Sequence, residues 1–208
     1  FIGGIGSGKT WVATERAKNE LLLGNHCIAV ASSHSQLKKV FFSELQLRLK
    51  FQGIPYKYNK SNDEMFIELP FNGAIIHGYS GKEKSIDNAR GLSVDKAFYD
   101  EATLYDEYIR EVVSGRLRRG HSKPQEFIST SPRGKKHWTY KLVHDEHTDF
   151  IHQTIFDNHF LPTDYIDKLV REYDGDFALQ ELYGEFVDGE TANALIPLSS
   201  IKEAQERT

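Results

Sequence analysis

The chain opens FIGGIGSGKT, residues 1–10, and this stretch decides how the rest is read. Gly3-Gly4-Ile5-Gly6-Ser7-Gly8-Lys9-Thr10 fits G-x-x-x-x-G-K-[ST] without a mismatch. Glycines leave backbone N–H groups able to wrap a triphosphate, and a helix starting near Lys9 points its positive end at the same anion. The periodic stretch KTWVATERAKNELLLG, beginning at Lys9, supplies that helix. Gly3, Gly4, Gly6, Ser7 and Gly8 are therefore expected to line a nucleotide, with Lys9 against its β- and γ-phosphates and the Thr10 hydroxyl on Mg²⁺. Only two residues precede Gly3, where a buried strand normally leads into such a loop.

Working outward, 208 residues suffice for one large domain with a small appendage. The net charge of −4 gives no bulk basic character, so a nucleic-acid surface would have to be a local patch. The single cysteine, Cys27, sits in the apolar run HCIAVAS and reads as core in a reducing compartment. No apolar run approaches the ~18 residues of a membrane span. Position 1 is Phe, and no signal peptide is legible, so the chain reads as a piece of something longer.

Strand and helix signals alternate. The strand CIAVAS is followed by a long amphipathic helix at about 35–52, then by strands MFIEL and AIIHGY joined through Asn72-Gly73, a strong hairpin signal. A polar loop at 80–95 leads into the apolar strand KAFYDEA. A helix at about 105–117, the strand QEFISTS, a helix from near Lys136, the strand FIHQTIF and two acidic amphipathic helices complete the order. This alternation predicts an α/β fold with a mainly parallel sheet flanked by helices.

The chemistry concentrates at strand ends. Asp100-Glu101 closes the strand KAFYD, and an acid at the carboxyl end of a parallel strand beside such a loop can hold Mg²⁺ through water. Glu101, where the chain turns, is placed to orient and deprotonate a water, which favours hydrolysis over transfer to a small acceptor. Ser129, Thr130 and Ser131 end the next strand, and their hydroxyls could sense the γ-phosphate.

With these residues in place, NARGLSVDKAFYDEATLYDEYIREVVSGRLRRG followed by FISTSPRGKKHW resembles the ATPase domain of tailed-phage terminase large subunits. Shared features are the GSGK[ST] loop, an Arg-Gly before the second motif, DEA[ST], an Arg-Leu segment, and a Thr-Thr-Asn-Pro-like coupling motif followed by His-Trp. Ile5 stands where many relatives carry a basic residue, and Ser131 where Asn is common. The stretch TIFDNHFLPTDYIDKLVREYDGDFALQELYGEFVD is similar to their lid or linker subdomain. The resemblance implies a P-loop NTPase fold of the ASCE, RecA-like kind: an ATPase core at 1–149, a small helical lid at 150–190, and the start of a linker at 191–208. It implies ATP and Mg²⁺ as cofactors, and a motor that drives double-stranded DNA into a procapsid. Its implied partners are the portal protein, the small terminase subunit and further copies of itself in a ring, a pentamer, with the isolated fragment monomeric and no membrane involved. Such a motor works in the host cytoplasm, transiently at the procapsid portal. The same resemblance implies an adenine-contacting segment upstream of Phe1 and a nuclease domain beyond Thr208, so that nuclease activity is expected only of the full-length protein.

Arg90, eleven residues before Glu101, matches the family's Arg-Gly and is the first choice for a finger reaching a neighbouring subunit's γ-phosphate; Arg116 is the second. Segment 114–136 carries Arg116, Arg118, Arg119, Lys123, Arg133, Lys135 and Lys136 against Glu126 alone, which suits a DNA backbone and a solvated loop face equally. His144, His147 and His152 match no standard zinc spacing. The nearest rival is a superfamily-2-like helicase, since DEAT echoes its motif, but that requires a second motor domain. A GTPase needs D-x-x-G and a later N-K-x-D, and neither occurs.

Overall fold

The computed structural model describes residues 1–62 and 64–187, and these fall into two compact units. One unit is Lys9–Thr130; the other combines Phe1–Gly8 with the chain from Ser131 onward. The linker expected at 191–208, and the last residues of the expected lid, lie outside the described residues.

The Lys9–Thr130 unit is built on a six-stranded sheet. Its strands are β2 (Cys27–Ala31), β3 (Lys57–Lys60), β4 (Met65–Leu69), β5 (Ala74–Ser80), β6 (Lys96–Asp100) and β7 (Gln125–Ser129), in the order β3-β4-β5-β2-β6-β7. Strands β5, β2, β6 and β7 run parallel, and β3 and β4 add an antiparallel edge. Every residue of β2 and β6 is buried, as expected of strands covered on both faces. The hairpin through Asn72-Gly73 forms between β4 and β5. Strand β3, KYNK, carries no apolar alternation to announce it; it is the exposed edge, where polar residues and lysines guard against further pairing.

One sheet face packs Ala29, Phe98, Ile67 and Ile76 against Ala13, Ala17 and Leu21 of the helix Lys9–Leu22, and against Leu37, Phe41, Phe42, Leu45 and Leu49. Phe98 stacks on Phe127 with ring centroids 5.0 Å apart. Each fully buried leucine, isoleucine or phenylalanine of this core contributes about 1.5–3 kcal/mol of apolar burial. On the opposite face, the Tyr99 hydroxyl donates to Glu126 at 2.8 Å and Arg110 pairs with Glu126 at 2.7 Å, which places the helix Glu107–Ser114 there.

The helix expected at 35–52 is a run of three pieces: His34–Gln36, a π-helical Leu37–Phe42, and Ser43–Phe51. The wider π turn lets Leu37 and Phe42, five residues apart, join Phe41 in the core, a spacing that sequence periodicity does not separate from an α-helix. Arg48 fastens this run to the first helix. Its Nε donates to Thr14 Oγ1 at 2.9 Å, and its guanidinium pairs with Glu15 at 3.0 Å and Glu44 at 2.8 Å.

In the other unit, β1 (Ile2–Gly3) pairs in parallel with β8 (His152–Gln153). The strand expected over FIHQTIF is thus two residues long. Thr154 stops it: its hydroxyl accepts from Phe156 N while the Asp157 carboxylate accepts from Thr154 N, a capping box that turns the chain into the 3₁₀ turn Ile155–Asp157. Helices Thr163–Glu172 and Gly175–Glu181 follow, around a small core of Ile155, Leu169 and Leu182 to which Ile5 and Leu161 add.

Candidate nucleotide site

Strands β6 and β7 end side by side, with Asp100 in register with Ser129. Asp100 is buried, at 1% exposure. Its Oδ1 accepts from the Thr10 hydroxyl at 3.3 Å and from the Ser129 hydroxyl at 3.3 Å, while its Oδ2, also buried, has no hydrogen-bond partner. Burial, and then the neighbouring Glu101 charge, raise the Asp100 carboxyl to about 6, against the opposing pull of Thr10, Ser129 and Lys9.

Glu101 is the one non-glycine residue with positive φ among the described residues, at φ 50° and ψ 54°. The left-handed backbone ends the strand and turns the carboxylate to Lys9, whose Nζ lies 3.9 Å from Oε1. Holding a side-chain residue there costs about 1–2 kcal/mol, of the kind stored at functional sites. Behind this turn, Thr130 Oγ1 accepts from Thr103 N at 3.1 Å and meets Thr103 Oγ1 at 2.8 Å. Lys9, Thr10, Asp100, Glu101, Ser129 and Thr130 thus come together at the carboxyl edge of one sheet. Sequence reasoning misses Thr103, although the DEAT it closes is legible.

The glycines of the loop belong to the other unit. The Ile5 N–H donates to Glu181 O at 2.5 Å, and the Asn158 side chain donates to Gly6 O at 2.6 Å. Gly6 has φ 70°, and a Cβ on Gly4 would lie 2.5 Å from the carbonyl oxygens of both Glu181 and Leu182, so neither position has room for a larger residue. The Ser7 hydroxyl is buried without a partner. Ser131 also lies in this unit, next to Pro132, whose carbonyl accepts from Gln180 at 2.9 Å.

The two arginines are occupied elsewhere. Arg90, half exposed, bonds Asp87 at 2.8 Å and the Tyr108 hydroxyl at 2.6 Å, and Arg116 donates to the Arg90 carbonyl. Within the basic segment, Arg119 is held by the buried Asp95 at 2.7 Å and Arg118 by Ser93 at 3.2 Å, so part of its charge has a structural use. His144 bonds the Tyr140 carbonyl, His147 lies beside Glu146, and His152 bonds the carbonyls of Tyr183 and Gly184.

A parallel sheet flanked by helices, following a glycine-rich loop, defines a P-loop α/β fold. The chain belongs to the terminase large subunits, T4likevirus-type, N-terminal: that family matches residues 1–203. Among solved structures it is similar to the large terminase of a thermophilic bacteriophage, with 23% identity and a TM-score of 0.76 over 89% of this chain and 47% of that one. It is likewise similar to the large terminase ATPase domain of Thermus phage P74-26 (20% identity, TM-score 0.65, 89% and 87% covered) and to the HK97 bacteriophage large terminase (14%, 0.60, 89% and 45%). The first of these three has also been solved with ADP and with ATP-gamma-S. At these identities the likeness concerns the fold. The chain spans about half the length of the whole large terminases it matches. No curated protein matches it.

Proposed function

We propose that this chain binds and hydrolyses ATP, and that within a terminase large subunit it powers translocation of double-stranded DNA into a procapsid. The observation that carries the reading is the convergence of Lys9, Thr10, Asp100 and Glu101 at one sheet edge, with a buried carboxylate oxygen left unpartnered. A hydroxyl and a carboxylate form an oxygen-donor set that suits Mg²⁺, so Thr10 and Asp100 are the residues to hold it. Bound there, the ion would offset charge on the β- and γ-phosphates. Gly3, Gly4, Gly6, Ser7 and Gly8 contribute backbone to the cradle. Lys9 opposes the triphosphate charge, which draws it from Glu101 and frees that carboxylate. Glu101 then takes a proton from the attacking water, and ADP and phosphate leave. Ser129, Thr130 and Ser131 follow the γ-phosphate and pass its loss to the chain beyond β7.

Arg90 is the proposed finger, reaching the γ-phosphate of a neighbouring copy in a pentameric ring after leaving Asp87 and Tyr108; Arg116 is the second candidate. The ring would sit on the portal protein, with the small terminase subunit and DNA as partners, transiently in the host cytoplasm, and the isolated chain would be a monomer. Family membership and the separate core of Ile155, Leu169 and Leu182 support a lid over 150–190. Replacing Glu101 with Gln keeps shape and removes the base, so ATP should bind and not turn over. Turnover within a few-fold of the parent would refute the assignment.

A further inference from the structure

The phosphate-binding loop must present N–H groups and keep carbonyl oxygens away from the anion it cradles. Two of its peptides are held from outside by residues far along the chain. In the Gly4–Ile5 peptide, the Ile5 N–H donates to Glu181 O at 2.5 Å, and the opposed Gly4 carbonyl accepts from the Ser7 N–H at 3.3 Å, so that carbonyl is capped within the loop. In the Gly6–Ser7 peptide the arrangement is reversed. The Gly6 carbonyl accepts from Asn158 Nδ2 at 2.6 Å, and on the opposite side of the same peptide the Ser7 N–H closes the loop on Gly4 O at 3.3 Å. The positive φ of Gly6 makes this reversal.

The Asn158 amide can take only one orientation. Its Oδ1 accepts from Phe160 N at 3.1 Å, so Nδ2 is the end facing Gly6 O. The turn bearing it is fixed in its own right: Leu161 N donates to Asn158 O at 3.2 Å, and Leu161 Cδ1 would lie 2.9 Å from a Cβ on Gly6.

We propose that Asn158 is a positioning residue for nucleotide binding, its amide locking the Gly6–Ser7 peptide with the carbonyl held on Asn158 and the N–H closing the loop. This rests on the ATP reading above and adds a residue outside the G-x-x-x-x-G-K-[ST] signature. The lock acts before the nucleotide arrives, so its loss weakens binding and leaves the chemical step little changed.

The test measures affinity for ADP with Mg²⁺ by calorimetry in the full chain, with KM and kcat for ATP alongside. Asn158→Ala removes one hydrogen bond and should weaken binding about fivefold. Asn158→Asp keeps the shape but faces the Gly6 carbonyl with an acceptor, so it should bind worse than the alanine variant, in high salt as well as low. Asn158→Leu, similar in size and uncharged, should match alanine. All three should raise KM more than they lower kcat. A space-filling role would instead make the isosteric aspartate the mildest change; that order, or parental affinity in the aspartate and leucine variants, overturns the inference. Parental chain that does not bind nucleotide overturns the ATP reading as well, whereas binding that is lost in Lys9→Ala but unchanged in every Asn158 variant overturns this inference alone.

Discussion

At nearly every position in a folded chain, alanine is at least as good as glycine, because glycine has more freedom to lose on folding. Residue 101 should reverse that order. With φ 50° and ψ 54°, any side chain with a Cβ carries the left-handed cost of about 1–2 kcal/mol, and glycine carries none. Glycine's greater freedom in the unfolded chain offsets about 0.4–1 kcal/mol of that gain. Both Glu101→Gly and Glu101→Ala lose the 3.9 Å contact with Lys9, so that term cancels in the comparison. The glycine variant should be more stable than the alanine variant by about 0.5–1 kcal/mol, or about 1–4 °C in melting temperature for a chain of this size. Urea titration of the two variants side by side, with equal slopes, gives the difference directly. An alanine variant as stable as the glycine variant or more so would show that residue 101 is not left-handed, and the placement of its carboxylate beside Lys9 would fall with it.

Gly4→Ala places a Cβ 2.5 Å from two backbone carbonyls, and overpacking of that kind should cost about 1–3 kcal/mol, read as a lower melting temperature; an unchanged melt would deny that 181–182 approach the loop. Burial, with His26 nearby, lowers His77 to about 4, so the unfolded chain binds a proton below about 6.5 that the folded chain refuses until about 4. Stability should therefore be full above that window and fall by at most about 3 kcal/mol as pH drops through it, and His77→Gln should flatten the fall measured by urea titration at stepped pH. If Arg90 acts in trans, rings mixed from Arg90→Ala and Glu101→Gln subunits should recover part of the ATPase activity that either variant lacks alone; no recovery, with parental rings active in parallel, would place Arg90 in its own subunit.

The parallel core and the edge it offers were legible because buried strands such as CIAVA and KAFYD are nearly continuous apolar runs, the second closing on an acid. Lys9, Thr10 and Asp100 could be read as one cluster because each follows a recognisable local signal. The strand at 150–156 was overcounted because the Thr154–Asp157 capping box, which ends it, hides inside a β-rich composition. The π turn at Leu37–Phe42 left no mark, since its apolar spacing also fits an α-helix. Asn158 could not have been found from the sequence: its contact with Gly6 spans 152 positions and depends on tertiary folding alone. The left-handed backbone of Glu101 was equally hidden, since glutamate gives no sign of positive φ.

The central claim is that Lys9, Thr10, Asp100 and Glu101 form one ATP-hydrolysing site. A structure of the chain with Mg²⁺ and a non-hydrolysable ATP analogue tests it most directly. The account predicts phosphates along Gly3–Thr10, the metal on the Thr10 hydroxyl and reached by Asp100, and Glu101 turned from Lys9 to a water facing the γ-phosphate. Nucleotide bound away from this edge, or metal bound without Thr10 and Asp100, would contradict it.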